Sequence, residues 1–123
     1  MVKKQKILVV DDEPHIVNLV RLTLSGDKYE VYSAYSGKEA IELAKKISPN
    51  LIILDLMMPA VDGYQVCEEI RKDEQTANVP IMILSAKSQL ADKFKSINVG
   101  ADDYMIKPFD PEELIKRVKI NVE

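Results

Sequence analysis

Three apolar runs in this chain end on residues that could do chemistry: ILVV runs into Asp11 and Asp12, LIIL into Asp55, and IMIL into Ser85. Carboxylates gathered at one place repel one another, and at least one is driven toward its protonated form unless a cation sits among them. A hard divalent cation meets that need. Mg2+ suits a site with few carboxylates, several waters and room for a phosphate oxygen. It also acts as a Lewis acid on phosphoryl groups, and a carboxylate can itself be the nucleophile, forming an aspartyl phosphate. The transferred group spreads negative charge over its oxygens, so cations and donors should surround it. Lys107, just after Tyr104–Ile106, and Ser85 are the residues that could supply both. Taken singly, each has a plainer role: Asp12 or Asp55 as a helix cap or turn residue, Ser85 as a turn residue, Lys107 as a solvated cation. The coincidence of polar residues at the ends of four buried runs is what argues for a site.

The elements that must position these residues follow from the same runs. Short continuous apolar stretches read as strands covered on both faces, the pattern of a parallel sheet. Ligands of an open parallel sheet bind beyond the carboxyl ends of its strands. Strand one is Ile7–Val10, and a helix from about Pro14 to Leu24 follows, with Pro14 in its first turn and Ile16, Leu19, Val20 and Leu24 on its apolar face. Ser25-Gly26-Asp27 ends it. Strand two, about Glu30–Ala34, alternates polar and apolar residues as an edge strand should. Ser36 and Glu39 form a capping box for a helix that buries Ala40, Ile41, Ala44 and Ile47 and stops before Pro49. Strand three is Leu51–Leu54. A loop from Asp55 through Pro59 to Asp62-Gly63 leads to a helix with Val66, Cys67 and Ile70 inward. Strand four is Ile81–Leu84. A weaker helix, roughly Gln89–Val99, carries Leu90, Phe94 and Ile97 at helical spacing, and Gly100 stops it. Strand five is about Tyr104–Ile106. Asp110-Pro111-Glu112-Glu113 opens a last helix that buries Leu114, Ile115, Val118 and Val122. Five strands alternating with five helices predict an α/β three-layer sandwich, a flavodoxin-like (βα)5 fold with a parallel sheet of order 2-1-3-4-5. Its switch point lies between strands one and three, which end in Asp11-Asp12 and Asp55.

Composition bounds the function classes. The 123 residues fit one domain, 1–123, and 46% hydrophobic with 30% charged residues suits a core with a well-solvated surface. A net charge of −3 gives no electrostatic footprint for nucleic acid. Lys3, Lys4 and Lys6 make a basic start with no signal-peptide core behind it, and no apolar stretch approaches membrane-spanning length. A single cysteine, Cys67, excludes an internal disulfide and suits a reducing compartment. The expectation is a soluble cytoplasmic chain.

The segments ILVVDDEP, LIILDLMMPAVDGY, IMILSAK and GADDYMIKPF resemble the signature segments of the response-regulator receiver domain of two-component signalling. The resemblance runs from about Lys6 to the last helix. It implies that Asp55 accepts a phosphoryl group from a phosphohistidine on a sensor histidine kinase or phosphotransfer protein. It further implies that Asp11, Asp12 and Asp55 hold Mg2+, with the backbone carbonyl of Met57 completing the protein's share. Lys107 would pair with the phosphoryl oxygens, and Pro108 would follow a cis peptide. Ser85 would hydrogen-bond the phosphoryl group while Tyr104 swings inward, repacking the face made by the fourth helix, strand five and the last helix for dimerisation or target binding. Small Ala86 would leave the pocket open. The resemblance puts Met57 and Lys87 at two positions that, in that family, tune how fast the phosphoryl group is lost. His15 reads as a solvated helix residue rather than a phosphohistidine. The face also resembles receivers that precede winged-helix DNA-binding domains: Lys93, Asp102, Asp103, Glu113 and Arg117 stand where those place charges for a symmetric dimer, and Asn98 occupies a position that is often acidic there. The chain would then be a stand-alone receiver or the first domain of a larger regulator such as a transcription factor, signalling rather than acting as an enzyme beyond its own phosphoryl transfer and autodephosphorylation. Two other classes are weighed against it. A Mg2+-dependent aspartyl-phosphate phosphatase would carry nucleophile and acid two residues apart on one strand end, with a cap domain. A flavodoxin-type electron carrier would want a Ser/Thr-rich phosphate loop, where Asp11-Asp12-Glu13 would repel a flavin phosphate.

Overall fold

The computed structural model describes residues 3–26, 28–58, 61–86 and 89–122. Asp27, Pro59 and Lys87, each named above, lie outside the described residues. The elements alternate as β1 (Gln5–Val10), α1 (Pro14–Thr23), β2 (Tyr29–Ala34), α2 (Gly37–Ile47), β3 (Leu51–Leu54), α3 (Gly63–Lys72), β4 (Ile81–Ser85), α4 (Leu90–Asn98), β5 (Asp103–Ile106) and α5 (Pro111–Val122). The five strands form one parallel sheet, ordered β2-β1-β3-β4-β5 in this labelling. The expected fold class and strand order are therefore observed. Between β3 and α3 the chain adds a feature the periodicity did not reveal, a small antiparallel ladder pairing Met57–Met58 with Val61–Asp62. Two-residue strands are too short to leave an alternating pattern in sequence.

The pleat divides the core in two. Leu8, Val10, Ile52, Leu54, Ile81 and Ile83 point to the face covered by α2 and α3, where Ala40, Ala44, Cys67 and Ile70 meet them. Ile7, Val9, Leu51, Ile53, Met82 and Leu84 point to the other face, against Val17, Val20 and Leu24 and against Leu114 and Val118 of α5. Every side chain of β3 and β4 is buried, as strands covered on both faces require. Two expected core residues fall outside. Leu19 and Ile115 are each 44% exposed. In α1 the buried stripe runs Val17, Val20, Leu24, and Leu19 lies one helical step (about 100°) off Val20. In α5 the stripe is Leu114 and Val118, an i, i+4 pair that turns Ile115 outward. Ile41, Ile47 and Val122 are only partly buried against the two clusters.

Register fixes where the polar endings meet. Val10 pairs with Leu54, so Asp11 and Asp55 leave adjacent strands at the same level. Leu54 pairs with Ile83, and Ser85 pairs with Ile106, which puts Lys107 just beyond the end of β5. Local chemistry fixes the helix starts. Ser36 Oγ accepts the Glu39 N–H at 3.2 Å, while Glu39 reaches back to the Tyr35 N–H at 2.9 Å, one residue earlier than a simple capping box. Asp62 accepts the Tyr64 N–H at 2.9 Å, and Asp110 accepts the Glu112 N–H at 3.0 Å. Gly63 lets α3 begin directly against the end of β3: a Cβ there would lie 2.6 Å from Leu56 Cα and 2.9 Å from the Asp55 carbonyl oxygen.

Candidate functional site

At the carboxyl edge of the sheet, Asp11, Asp12, Glu13 and Asp55 offer carboxylate oxygens that all lie within 4.8 Å of one another. Asp11 and Asp55 are almost fully buried, at 2% and 3% exposure, and Asp12 is half-buried. Lys107 closes the group, its Nζ donating to Asp11 Oδ2 at 2.7 Å and to Asp55 Oδ2 at 3.1 Å, with Glu13 Oε1 3.8 Å away. The peptide between Lys107 and Pro108 is cis, as expected. Backbone donors hold the other carboxylate oxygens. Glu13 N–H donates to Asp11 Oδ1 and Met57 N–H to Asp55 Oδ1, each at 3.0 Å.

The electrostatics follow from burial against compensation. Burial is the main cause that lifts the Asp11 carboxyl above its ordinary 3.8, helped by the Asp55 charge and opposed by Lys107 and the Glu13 N–H. For Lys107 burial works against the charge, but the Asp11 and Asp55 carboxylates outweigh it and hold the ammonium above its ordinary 10.5. The site is thus a cluster of acids with one cation among them, and excess negative charge at its mouth.

Ser85 is fully buried at the end of β4, and its side chain shares a hydrogen bond with Tyr104 on the neighbouring strand. Tyr104 is half-buried against the α2–α3 side of the core, and burial followed by the nearby Asp92 charge raises its hydroxyl. Met57 is 53% exposed in the small ladder beside the site. Ala86 is exposed next to Ser85. His15 stands on the exposed side of α1, its Nε2 3.2 Å from Glu13 Oε2. Cys67 is buried, and burial pushes its thiol up to about 11, which leaves it inert.

The plainer role for Asp12 fails, because the N-cap of α1 is Glu13 and no side chain caps it. Glu13 itself entered the sequence reading only as part of an anionic turn. Its neighbours in Asp11-Asp12-Glu13 were the available signal, since Glu13 sits at the helix start where the chain turns back over the strand end. Of the charges expected on the dimer face, Asp102, Asp103, Glu113 and Arg117 are already engaged within the chain. Arg117 bonds Asp103 at 2.6 Å and Glu113 at 3.4 Å, and Asn121 adds a bond to Asp103 at 3.0 Å. Asp102 accepts from Arg71 and from the Ile81 N–H, both at 2.9 Å. Lys93 is half-buried and makes no ion pair among the described residues, and Asn98 is exposed.

A parallel sheet of this order, with acids from two strand ends, a buried hydroxyl from a third and a lysine from a fourth, makes a polar site whose chemistry suits a cation and an oxyanion rather than an apolar ligand. Comparison with known proteins agrees. Residues 7–119 match the family model of the response regulator receiver domain, and the chain belongs to that family. It is 46% identical over 114 residues to the DNA-binding dual master transcriptional regulator RpaA of Synechocystis, covering 93% of this chain and 47% of that protein. It is 47% identical over 117 residues to the probable transcriptional regulator ycf27 of Porphyridium aerugineum, covering 95% and 48%. The chain therefore spans about half the length of these curated relatives. Among solved structures, a putative response regulator from Chloroflexus aurantiacus superposes with a TM-score of 0.91 at 38% identity, covering 98% of both chains. The BeF3-activated DrrB receiver domain superposes at 0.86 with 31% identity, again over 98% of both. The chain is a receiver domain of a response regulator, and the phosphatase and flavodoxin-type readings find no support. No helix among the described residues is long and apolar enough to cross a membrane.

Proposed function

We propose that this receiver works by accepting one phosphoryl group on Asp55 from a phosphohistidine of a sensor histidine kinase or phosphotransfer protein. The observation that carries the reading is the Lys107 ammonium shared between Asp11 and Asp55 across the ends of three strands. Phosphoryl transfer forms a P–O bond to the Asp55 carboxylate as the P–N bond breaks, and the electron pair leaves on the donor imidazole, which takes a proton from solvent. Met57 N–H orients one Asp55 oxygen and Lys107 faces the other. The donor set suits Mg2+: closely spaced carboxylates, all-oxygen chemistry, and burial that already strains the Asp11 charge. Asp11, Asp12, Asp55 and the Met57 carbonyl would hold it, where it supplies charge neutralisation for the phosphoryl oxygens.

Once Asp55 is phosphorylated, the new group carries roughly −1.5 to −2 of charge and three acceptors. Lys107 turns from Asp11 to a phosphoryl oxygen. A serine hydroxyl donates once and accepts as well, so Ser85 can donate to the phosphoryl group while keeping Tyr104 as its partner. That links the site to the α4–β5–α5 face. Hydrolysis of the aspartyl phosphate by water resets the switch. On that face Leu90, Phe94 and Ile97 lie 58–64% exposed along α4, an apolar stripe that suits a phosphorylation-dependent homodimer. Asp102, Asp103, Glu113 and Arg117 exchange their internal pairs for ones across the interface, with Lys93 beside them. The likeness to transcriptional regulators of about twice the length supports an output in transcription. Incubation with Mg2+ and a small acyl phosphate tests the reading. Uptake of one acid-stable, base-labile phosphoryl group, lost in Asp55→Ala, is expected; no uptake, or uptake that survives the substitution, overturns it.

A further inference from the structure

The helix at the centre of the switching face is held in place by very little. Within α4 only Ser96 is fully buried, and Leu90, Phe94 and Ile97 face solvent. Apolar packing therefore does little to fix its position. Among the described residues, polar contacts to its first turns come from Tyr64 of α3. The Tyr64 hydroxyl donates to Asp92 Oδ1 at 3.1 Å, and the Lys95 ammonium sits 4.3 Å from the centroid of the same ring. Asp92 and Lys95 are three residues apart, on one helical face, so Tyr64 is gripped from both sides of that face.

Tyr64 is in turn rigidly tied to the phosphoacceptor. It is 6% exposed, and it follows Gly63, whose backbone lies so close to Asp55 and Leu56 that a Cβ would collide with both. Asp62 fixes its N–H. A short, close-packed path thus runs from the Asp55 backbone through Gly63 and Tyr64 to α4, separate from the path through Ser85 and Tyr104. Burial and Asp92 lift the Tyr64 hydroxyl to about 12, so it remains a donor throughout the physiological range.

Resting on the phosphoryl-switch reading above, we propose that Tyr64 is a positioning residue that latches α4 through Asp92 and Lys95, and so sets how readily the site takes up a phosphoryl group. The latch is closed in the arrangement where Lys107 is engaged by Asp11 and Asp55. It therefore belongs to the resting side of the equilibrium, and opening it shifts the population toward the form that binds the phosphoryl group.

The test uses the chain as it stands, with beryllofluoride and Mg2+ as the phosphoryl probe and bound fluoride read by fluorine NMR. Tyr64→Phe removes only the hydroxyl, and Asp92→Ala removes its acceptor together with the first-turn charge of α4. Each should tighten beryllofluoride binding about fivefold, the worth of one hydrogen bond. The double variant should be no tighter than either single one, because both break the same contact. Asp92→Asn, which keeps an acceptor for the Tyr64 hydroxyl, should stay near the parent. Unchanged or weaker binding in Tyr64→Phe, or additive effects in the double variant, would overturn the latch. If the parent binds no beryllofluoride at all, the phosphoryl-switch reading itself fails, and the two failures are thereby distinguished.

Discussion

Replacing Lys107 with Met should expose how far this site depends on its one cation. Methionine keeps the apolar stem that packs at the end of β5 and removes only the charge. Asp11 and Asp55, 2% and 3% exposed, would then face each other with no ammonium at 2.7 and 3.1 Å. Leaving a buried charge without its partner costs about 3–5 kcal/mol. Asp11 can escape part of that by holding a proton, and half-buried Asp12 lets water near. A loss of about 2–4 kcal/mol at neutral pH is the result, or a urea midpoint lower by about 1–2 M for a chain of this size. The pH dependence follows from the direction of the Asp11 shift. Its folded-state carboxyl is held above the ordinary 3.8, and losing Lys107 raises it further. The folded chain then keeps a proton the unfolded chain has released, so stability falls as pH rises through that window and returns on acidification. Urea titrations followed by circular dichroism, at neutral pH and at about pH 5, should show the deficit shrinking in acid. Mg2+ should also stabilise the variant more than the parent, because it replaces the missing cation. A variant as stable as the parent at neutral pH, or a deficit that does not shrink on acidification, would refute the reasoning.

Other consequences are as direct. Gly63→Ala should lose about 1–3 kcal/mol in urea unfolding, because its Cβ meets backbone atoms rather than movable side chains, even though alanine gains about 1 kcal/mol of helix propensity. Met57→Asn should alter the rate at which phosphate is released from the phosphorylated chain, and an unchanged decay would remove Met57 from the timing of the switch. Phe94→Asp, on the exposed stripe of α4, should leave stability within about 0.5 kcal/mol but abolish beryllofluoride-dependent dimerisation in sedimentation. A parent that stays monomeric at high concentration in both states would reject the dimer.

Much of this was written in the sequence because burial and chemistry coincide at the strand ends. The runs ILVV, LIIL and IMIL are covered on both faces, so they are apolar without interruption, and each must stop where the chain reaches the polar edge. Asp11, Asp55 and Ser85 were legible for that reason, whereas Lys107 follows the less buried edge strand β5 and was legible only by its place just after Tyr104–Ile106. Leu19 and Ile115 were misread because a helical stripe is only about one step wide, and a leucine beside it scores like one within it. Arg71 and Tyr64 left weaker traces. Their contacts are with residues far along the chain or with backbone carbonyls: Arg71 binds the carbonyls of Ala77, Val79 and Gly100 as well as Asp102. Partners of that kind depend on how elements pack and leave no periodicity. The same holds for Asp102 and Asp103, whose charge was visible but whose internal partners were not.

The central claim is that Asp55 is the residue that carries the phosphoryl group. The most direct measurement treats the chain with Mg2+ and a small acyl phosphate, reduces the product with borohydride, and maps the modified peptide by mass spectrometry. Reduction of an aspartyl phosphate leaves homoserine, and the account predicts it at position 55 alone. Homoserine at Asp11 or Asp12, or no modified peptide in a chain that still folds, would contradict it.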